Sequence, residues 1–368
     1  MELRDLMVDE FVKLVQIDAE SGHEGPMADA VEAKLVELGL EVGRDDAGNV
    51  IGRLAGPRVD GSWEPIILCA HLDRVVPGNG VSPVVEDGAI RSSGDTVLGA
   101  DDVAGIVAIL AGLRLALEAG APLPPVETVF TVGEEEGLRG SRLMDYFKVK
   151  AKRGYVFDAA GPVGTVIVGS PTHVDLDVTI TGRAAHAAIN PEDGISAIQI
   201  AAEAMANLPF GRIDQETTAN IGVVAGGVAS NIVCDKVKIQ GEVRCLVHDR
   251  AVSLSDEFAE VFKAAANRRG GSAEIVTWVK YQCYRVPDDS PTVERARRAI
   301  EKLGRKCVLS TTMGGSDANM FNLHGIESVC MGMGFEQVHS CRETMPISEL
   351  EAAGNLVREL ILAEEQSR

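Results

Sequence analysis

The sequence predicts an α/β protein: a doubly wound, mostly parallel sheet interrupted by a smaller α+β module. Three observations carry this. Short apolar runs such as Ile66-Ile67-Leu68-Cys69-Ala70 read as strands buried on both faces. They alternate with helical patterns through short links, which favours parallel β-α-β winding. Near residue 172 the texture changes to a period of two, and near Pro287 the first texture returns.

In chain order, Leu6, Met7, Phe11, Leu14 and Val15 fall on one face of a helix within residues 3–19. The turn cluster Ser21-Gly22-His23-Glu24-Gly25-Pro26 follows. A second amphipathic helix is expected through Leu40, ended by Gly39 and the polar stretch 44–49. Val50–Leu54 is a strand, and the next strand ends in His71-Leu72-Asp73. A long loop rich in Gly, Pro and Ser runs to about residue 96, before an apolar helix from Val103 to about Leu117. The strand Val126–Val132 leads into Glu134-Glu135-Glu136-Gly137, and Tyr155-Val156-Phe157 leads into Asp158.

Val174–Thr181 alternates apolar and polar residues, as a half-exposed antiparallel strand does. A helix over Ile195–Leu208, strands at 219–224 and 232–247, and a helix at 251–268 follow. This β-α-β-β-α-β order resembles a ferredoxin-like module. It assigns residues 172–286 to an inserted domain, and residues 1–171 with 287–368 to the domain that receives it. A helix near 291–303, a strand at 328–332 and a final helix to about Glu364 complete the chain.

Composition narrows the function. At 368 residues, two domains are the default, and 45% hydrophobic content supports a sizeable core. Aromatics are only 4%, so that core rests on Val, Ile, Leu and Ala. A net charge of -20 argues against nucleic acid and anionic membrane as partners. No apolar stretch approaches the roughly 20 residues of a membrane span, and the acidic start Met1–Asp5 is no signal peptide. Seven cysteines, an odd number with no C-x-x-C pair, suit a reduced cytoplasmic protein.

Chemistry collects at the strand ends: His71, Asp101, Glu134 with Glu135, Asp158, and His339. In a parallel sheet such residues converge above one edge. Two histidines with several carboxylates form a mixed N/O set suited to Zn²⁺, with Co²⁺ or Mn²⁺ as substitutes. So many acids cannot share one pocket ionised unless cations neutralise them. One bridging carboxylate would hold two ions about 3.5–4 Å apart. His71 is the natural ligand of its strand, and Asp73 the group expected to fix its tautomer. The Glu134-Glu135 pair invites a division between general base and ligand.

These residues resemble the co-catalytic zinc peptidases that include peptidase T, glutamate carboxypeptidase and aminoacylase. The matching pieces, in register over nearly the whole chain, begin with His71-Leu72-Asp73, Gly99-Ala100-Asp101-Asp102 and Glu134-Glu135-Glu136-Gly137. They continue with Asp158, Gly182-Arg183-Ala184-Ala185-His186, Gly226-Gly227-Val228-Ala229-Ser230-Asn231, Gly314-Gly315-Ser316-Asp317 and His339-Ser340. Gly211–Asp214 and Glu216–Asn220 pull the match towards the peptidase T-like branch.

The resemblance implies two Zn²⁺ per subunit, one on His71 and Asp158, the other on Glu135 and His339, with Asp101 bridging. It also implies a cis peptide at Asp101–Asp102, and Glu134 as general base. His186 and Asn231 would bind the scissile carbonyl or its oxyanion, and Arg244 would anchor a substrate carboxylate. The implied activity is exopeptidase cleavage of short peptides, foremost as a tripeptide aminopeptidase. C-terminal trimming, N-acyl amide cleavage and non-catalytic metal binding are the alternatives. The inserted domain would act as a lid and as the surface of a homodimer.

Each of the less constrained residues has a plainer role available. His186 could cap a helix, Asn231 could be a turn residue, and Arg244 could be a surface salt-bridge partner. Gly315 and Asp317 are expected on the substrate side, or, for Asp317, shaping its loop. Val103 and Cys341 depart from the residues frequent in the family, without removing a ligand.

Overall fold

The computed structural model describes residues 2–54 and 63–363. They form two compact units: Met1–Gly169, Arg285–Thr311 and Ser316–Arg368 in one, and Ser170–Tyr284 with Thr312–Gly315 in the other.

The first unit is organised by a nine-stranded sheet. At its centre Val126–Thr131, Ile66–His71, Arg153–Ala159 and Glu327–Gly332 run parallel, in that order. Antiparallel strands flank them, Leu40–Arg44 and Val50–Leu54 on one side and Thr165–Ser170 on the other. All six residues of Ile66–His71 are buried, which explains the uninterrupted apolar run. The helix Ala100–Glu118 packs on this strand and against the helices Leu3–Val15 and Ile347–Leu362. Gly112 permits the closest approach, since a Cβ there would lie 2.4 Å from the Val357 side chain.

Several elements differ from expectation. The second helix stops at Glu37, because Gly39 turns the chain at φ 84, and Leu40 instead opens a strand paired with Val50–Leu54. Part of the expected long loop is a hairpin, Pro83–Glu86 with Ala89–Ser92, turned at Asp87-Gly88 with φ of 52 and 79. The strands Thr165–Ser170 and Val308–Thr311 and the helix Asp317–Leu323 are further elements, too short or too weakly patterned to show in the sequence. The last helix runs Ile347–Leu362, and Glu364 lies outside the described residues.

The second unit carries an antiparallel five-stranded sheet. Its order is Gly211–Arg212, Thr217–Gly226, Lys236–Cys245, Thr172–Thr181, Ser272–Tyr281, and without the first, short strand this is the ferredoxin-like arrangement. Val174, Leu176, Val178 and Ile180 are buried while Asp175, Asp177 and Thr179 alternate on the other face. The helices Ala197–Ala206 and His248–Arg268 cover the apolar face; Leu254, Phe258, Phe262 and Ala265 of the latter join the core at helical spacing. No described helix is long and apolar enough to cross a membrane.

Candidate metal centre

The carboxyl ends of the central strands and the loops after them bring His71, Asp101, Glu135, Asp158 and His339 together. His71 closes its strand at 2% exposure. Its Nε2 lies 3.0 Å from Asp101 Oδ1 and 3.8 Å from Asp158 Oδ1. His339 Nε2 lies 3.0 Å from Glu135 Oε1 and 3.4 Å from Asp101 Oδ2. Asp101 thus turns one oxygen to each histidine, and the five donors fall into two groups that share one carboxylate. Two further features frame it. The Asp101–Asp102 peptide is cis, and His339 takes φ 59, uncommon for a residue with a side chain.

Electrostatics shows that this donor set fits cations. Burial pushes the Asp158 carboxyl well above its usual range, and the negative charges of Asp101 and Glu134 add to it. His339 is pushed up to about 10 by its hydrogen bonds to Asp101 and Glu135. Burial alone would lower His71, but bonds to Asp101 and Asp73 and the charge of Asp158 hold it well above normal. Without metal, the cluster can relieve its negative charge only by binding protons; divalent cations would do the same and leave the donors ionised.

Surrounding groups fix this geometry. His71 Nδ1 lies 2.9 Å from the Asp73 backbone carbonyl, and the Asp73 carboxylate is farther at 3.4 Å. The nearer orienting acceptor is therefore the main chain of Asp73. Its side chain has further work: it accepts the Ser21 hydroxyl at 2.7 Å and the N–H groups of Glu134 and Glu135 at 2.9 and 3.2 Å. Asp102, which the sequence motif names without giving a role, accepts the His71 N–H at 3.1 Å and the Gly105 N–H at 3.1 Å. Its oxygens are committed to the backbone, although they lie close enough to His71 and Asp158 to share an ion. Glu134 sits at the same rim. Burial, reinforced by the charges of Asp317, Glu135 and Asp73, pushes its carboxyl well above the ordinary range.

Residues 168–269 match the family model described as a peptidase dimerisation domain, and residues 49–208 match that of peptidase family M28. The structure of aminopeptidase PepT from Bacillus cereus superposes with a TM-score of 0.89 at 40% identity, covering 97% of this chain and 98% of that one. A tripeptidase from Staphylococcus aureus gives 0.92 at 36% identity, with 97% of both chains covered. The chain is a peptidase T-like member of the M20 metallopeptidase family. The Bacillus subtilis protein YqjE, 41% identical over 96% of this chain and 97% of its own, is another relative.

In this peptidase T-like chain the remaining candidate residues sit mostly in the second unit. His186 and Asn231 are both exposed and lie on facing segments, joined by the Ala187 N–H to Asn231 carbonyl bond at 2.9 Å. His186 Nδ1 accepts the N–H groups of Ala188 and Ile189 at 3.2 Å each, so the neutral ring carries its proton on Nε2. Arg244 is paired with Glu242 through two bonds of 2.9 Å, and also donates to the Met313 carbonyl at 3.1 Å. Its fork is thus engaged internally, as in the salt-bridge alternative. The Gly315 backbone lies against the Tyr281 ring, where a Cβ would come within 2.3 Å.

Asp317 belongs to the first unit and corrects one expectation. At 1% exposure it is no substrate-facing group. Its Oδ2 accepts the Thr131 hydroxyl at 2.5 Å and the Cys69 thiol at 3.6 Å. It ties the start of its helix to two central strands, the loop-shaping role. All seven cysteines are unpaired.

Proposed function

We propose that this chain is a two-metal aminopeptidase that removes the first residue of short peptides, tripeptides above all. The observation that carries the reading is Asp101, whose two oxygens face two different histidines beside the carboxyl of Glu134. Relatives that cover nearly the whole chain, an aminopeptidase and a tripeptidase, support the substrate class.

In this reading His71 and Asp158 would hold one Zn²⁺ and Glu135 and His339 the other, with Asp101 as the carboxylate they would share and Co²⁺ or Mn²⁺ as substitutes. When bound, the ions lower the pKa of water and polarise the scissile carbonyl. Glu134 takes the proton of the attacking water on its carboxylate and delivers it to the leaving amine nitrogen. Such a transfer needs a carboxyl tuned above the free value, and burial acts on Glu134 in that direction. His186 presents an Nε2–H, the donor that a developing oxyanion needs, and Asn231 is its neighbour. Arg244 would anchor a substrate carboxylate only by sharing its Glu242-paired guanidinium.

Among the described residues the strand Thr217–Gly226 has an outer ladder partner over Thr218 and Ala219 alone, and Val223 and Val224 are exposed beyond it. With the match to a dimerisation domain, this favours a homodimer through the inserted unit. A single monomeric species in light scattering at working concentration would contradict it. Seven unpaired cysteines favour a reducing, cytoplasmic setting.

The test is digestion of a library of di-, tri- and longer peptides followed by mass spectrometry, with zinc, cobalt and chelator arms. Loss of the amino-terminal residue, fastest from tripeptides, abolished by chelator and restored by metal, is expected. Release from the carboxyl end, or cleavage only of N-acylated amino acids, would replace the aminopeptidase reading.

A further inference from the structure

Glu343 lies four residues after His339 and is 2% exposed. Its Oε2 accepts the Gly99 N–H at 2.7 Å and its Oε1 the Asp101 N–H at 2.9 Å. These amides open the helix Ala100–Glu118, where such groups have no partner within the helix. The local sequence cannot supply one, because Gly99 at the cap position has no side chain. A carboxylate 242 residues away from Asp101 does so instead. The backbone it grips is irregular: Gly99 has φ 76, and Asp101 and Asp102 depart from helical angles.

The other end of the clamp is equally fixed. Glu336 and Thr344 exchange backbone hydrogen bonds of 2.9 and 3.0 Å, and the Glu343 N–H reaches the Ser340 carbonyl at 3.0 Å. His339, half exposed and at φ 59, sits in the turn these bonds close. Behind Gly99 lies Arg74, 1% exposed, its guanidinium bonded to the carbonyls of Val15, Ile17 and Gly78. A Cβ at position 99 would stand 3.1 Å from Arg74 Nε, so the loop is backed by a buried guanidinium, which also feels the charge of Glu343.

We propose that Glu343 is a positioning residue that clamps the Gly99–Asp101 backbone to the His339 turn, so that the shared carboxylate and the exposed histidine reach the metals preset relative to each other. The inference rests on the two-metal reading. It predicts that Glu343 acts on metal affinity beyond any effect on folding, because its two oxygens hold the backbone of the segment that carries the shared carboxylate.

The test compares wild type, Glu343→Gln, Glu343→Asp and Gly112→Ala, all full length and stripped of metal. Zinc is titrated by calorimetry against a competing chelator, and the visible spectrum of the cobalt-loaded proteins is recorded. In Glu343→Gln the side-chain amide places a donor against N–H donors. The weaker zinc equivalent should then lose about 10–100-fold in affinity, the range for groups that orient ligands, and the cobalt spectrum should change. Glu343→Asp, which keeps two acceptor oxygens, should recover part of the loss. Gly112→Ala, destabilised at a distance from the site, should retain wild-type zinc affinity. Wild-type affinities and spectrum in Glu343→Gln would overturn the proposal. So would a loss in Gly112→Ala that matches it at equal destabilisation. If the wild type itself does not take up two ions, the two-metal reading fails first and takes the inference with it.

Discussion

Asp73 accepts the backbone N–H of Glu134 on Oδ1 at 2.9 Å, and thereby sets the turn that presents that glutamate. Its Oδ2 takes the Glu135 N–H at 3.2 Å and the Ser21 hydroxyl at 2.7 Å. One buried carboxylate therefore orders both members of the acidic pair, while its main-chain carbonyl orients His71. Asp73→Asn should keep the fold but replace one acceptor with a donor facing an N–H. We expect metal affinity to fall about 10–100-fold, measured by competition with a chromogenic chelator. Affinity equal to wild type would show that the backbone carbonyl alone suffices.

Glu134 holds no position among the five metal donors, so its removal separates binding from chemistry. Glu134→Gln should bind two ions as the wild type does and lose about 10²–10⁴-fold in kcat, the usual share of a general base. Metal analysis of the purified variant beside its turnover of a tripeptide checks both halves. Substantial turnover with both metals bound would move the base to another residue.

How much of this was legible in the sequence depends on the range of the interaction. His71, Asp101, Asp158 and the Glu134-Glu135 pair announce themselves because buried strands end, or loops begin, in polar residues there. The alternation over Val174–Thr181 likewise declares a one-sided antiparallel sheet. The groups that hold those residues in place do not declare themselves. Glu343 and Asp102 act on backbone amides, and a carboxylate that accepts an N–H from 242 residues away leaves no local period or motif. Asp317 is half legible for the same reason: its Gly-Gly loop suggests a substrate-side or loop-shaping group, and its Oδ2 accepts from Thr131 and Cys69 on two other strands. The strand Leu40–Arg44 was lost to a helix pattern that Gly39 cuts short.

Packing of the Ala100–Glu118 helix on the last helix gives a prediction independent of metal. A methyl at Gly112 would meet Val357 at 2.4 Å and the Arg358 backbone nitrogen at 2.9 Å, so relief requires the helices to separate. Gly112→Ala should cost about 1–3 kcal/mol, the range for overpacking, despite the gain in helix propensity. Urea denaturation would show the midpoint falling with little change in slope. An unchanged midpoint would mean that the two helices can part freely.

Glu242 offers a test of the inserted unit by pH. Its carboxyl is held at about 2, down from 4.5, first by His173, whose Nε2 lies 3.2 Å away, and then, against the opposing effect of partial burial, by Arg244. The folded state thus binds a proton less readily than the unfolded chain, and stability must fall as pH falls. The contribution is complete above the ordinary carboxylate range and is lost as pH drops from about 4.5 towards 2. Glu242→Gln removes the titrating group and should flatten this part of the profile. The expected readout is amide protection along Lys236–Cys245: with the intrinsic chemical rate divided out at each pH, the protection factors should fall from pH 6 to pH 3 in the wild type but not in the variant. Parallel profiles for the two proteins would assign the acid sensitivity of this sheet to other groups, Asp175 beside the same histidine being the next to test.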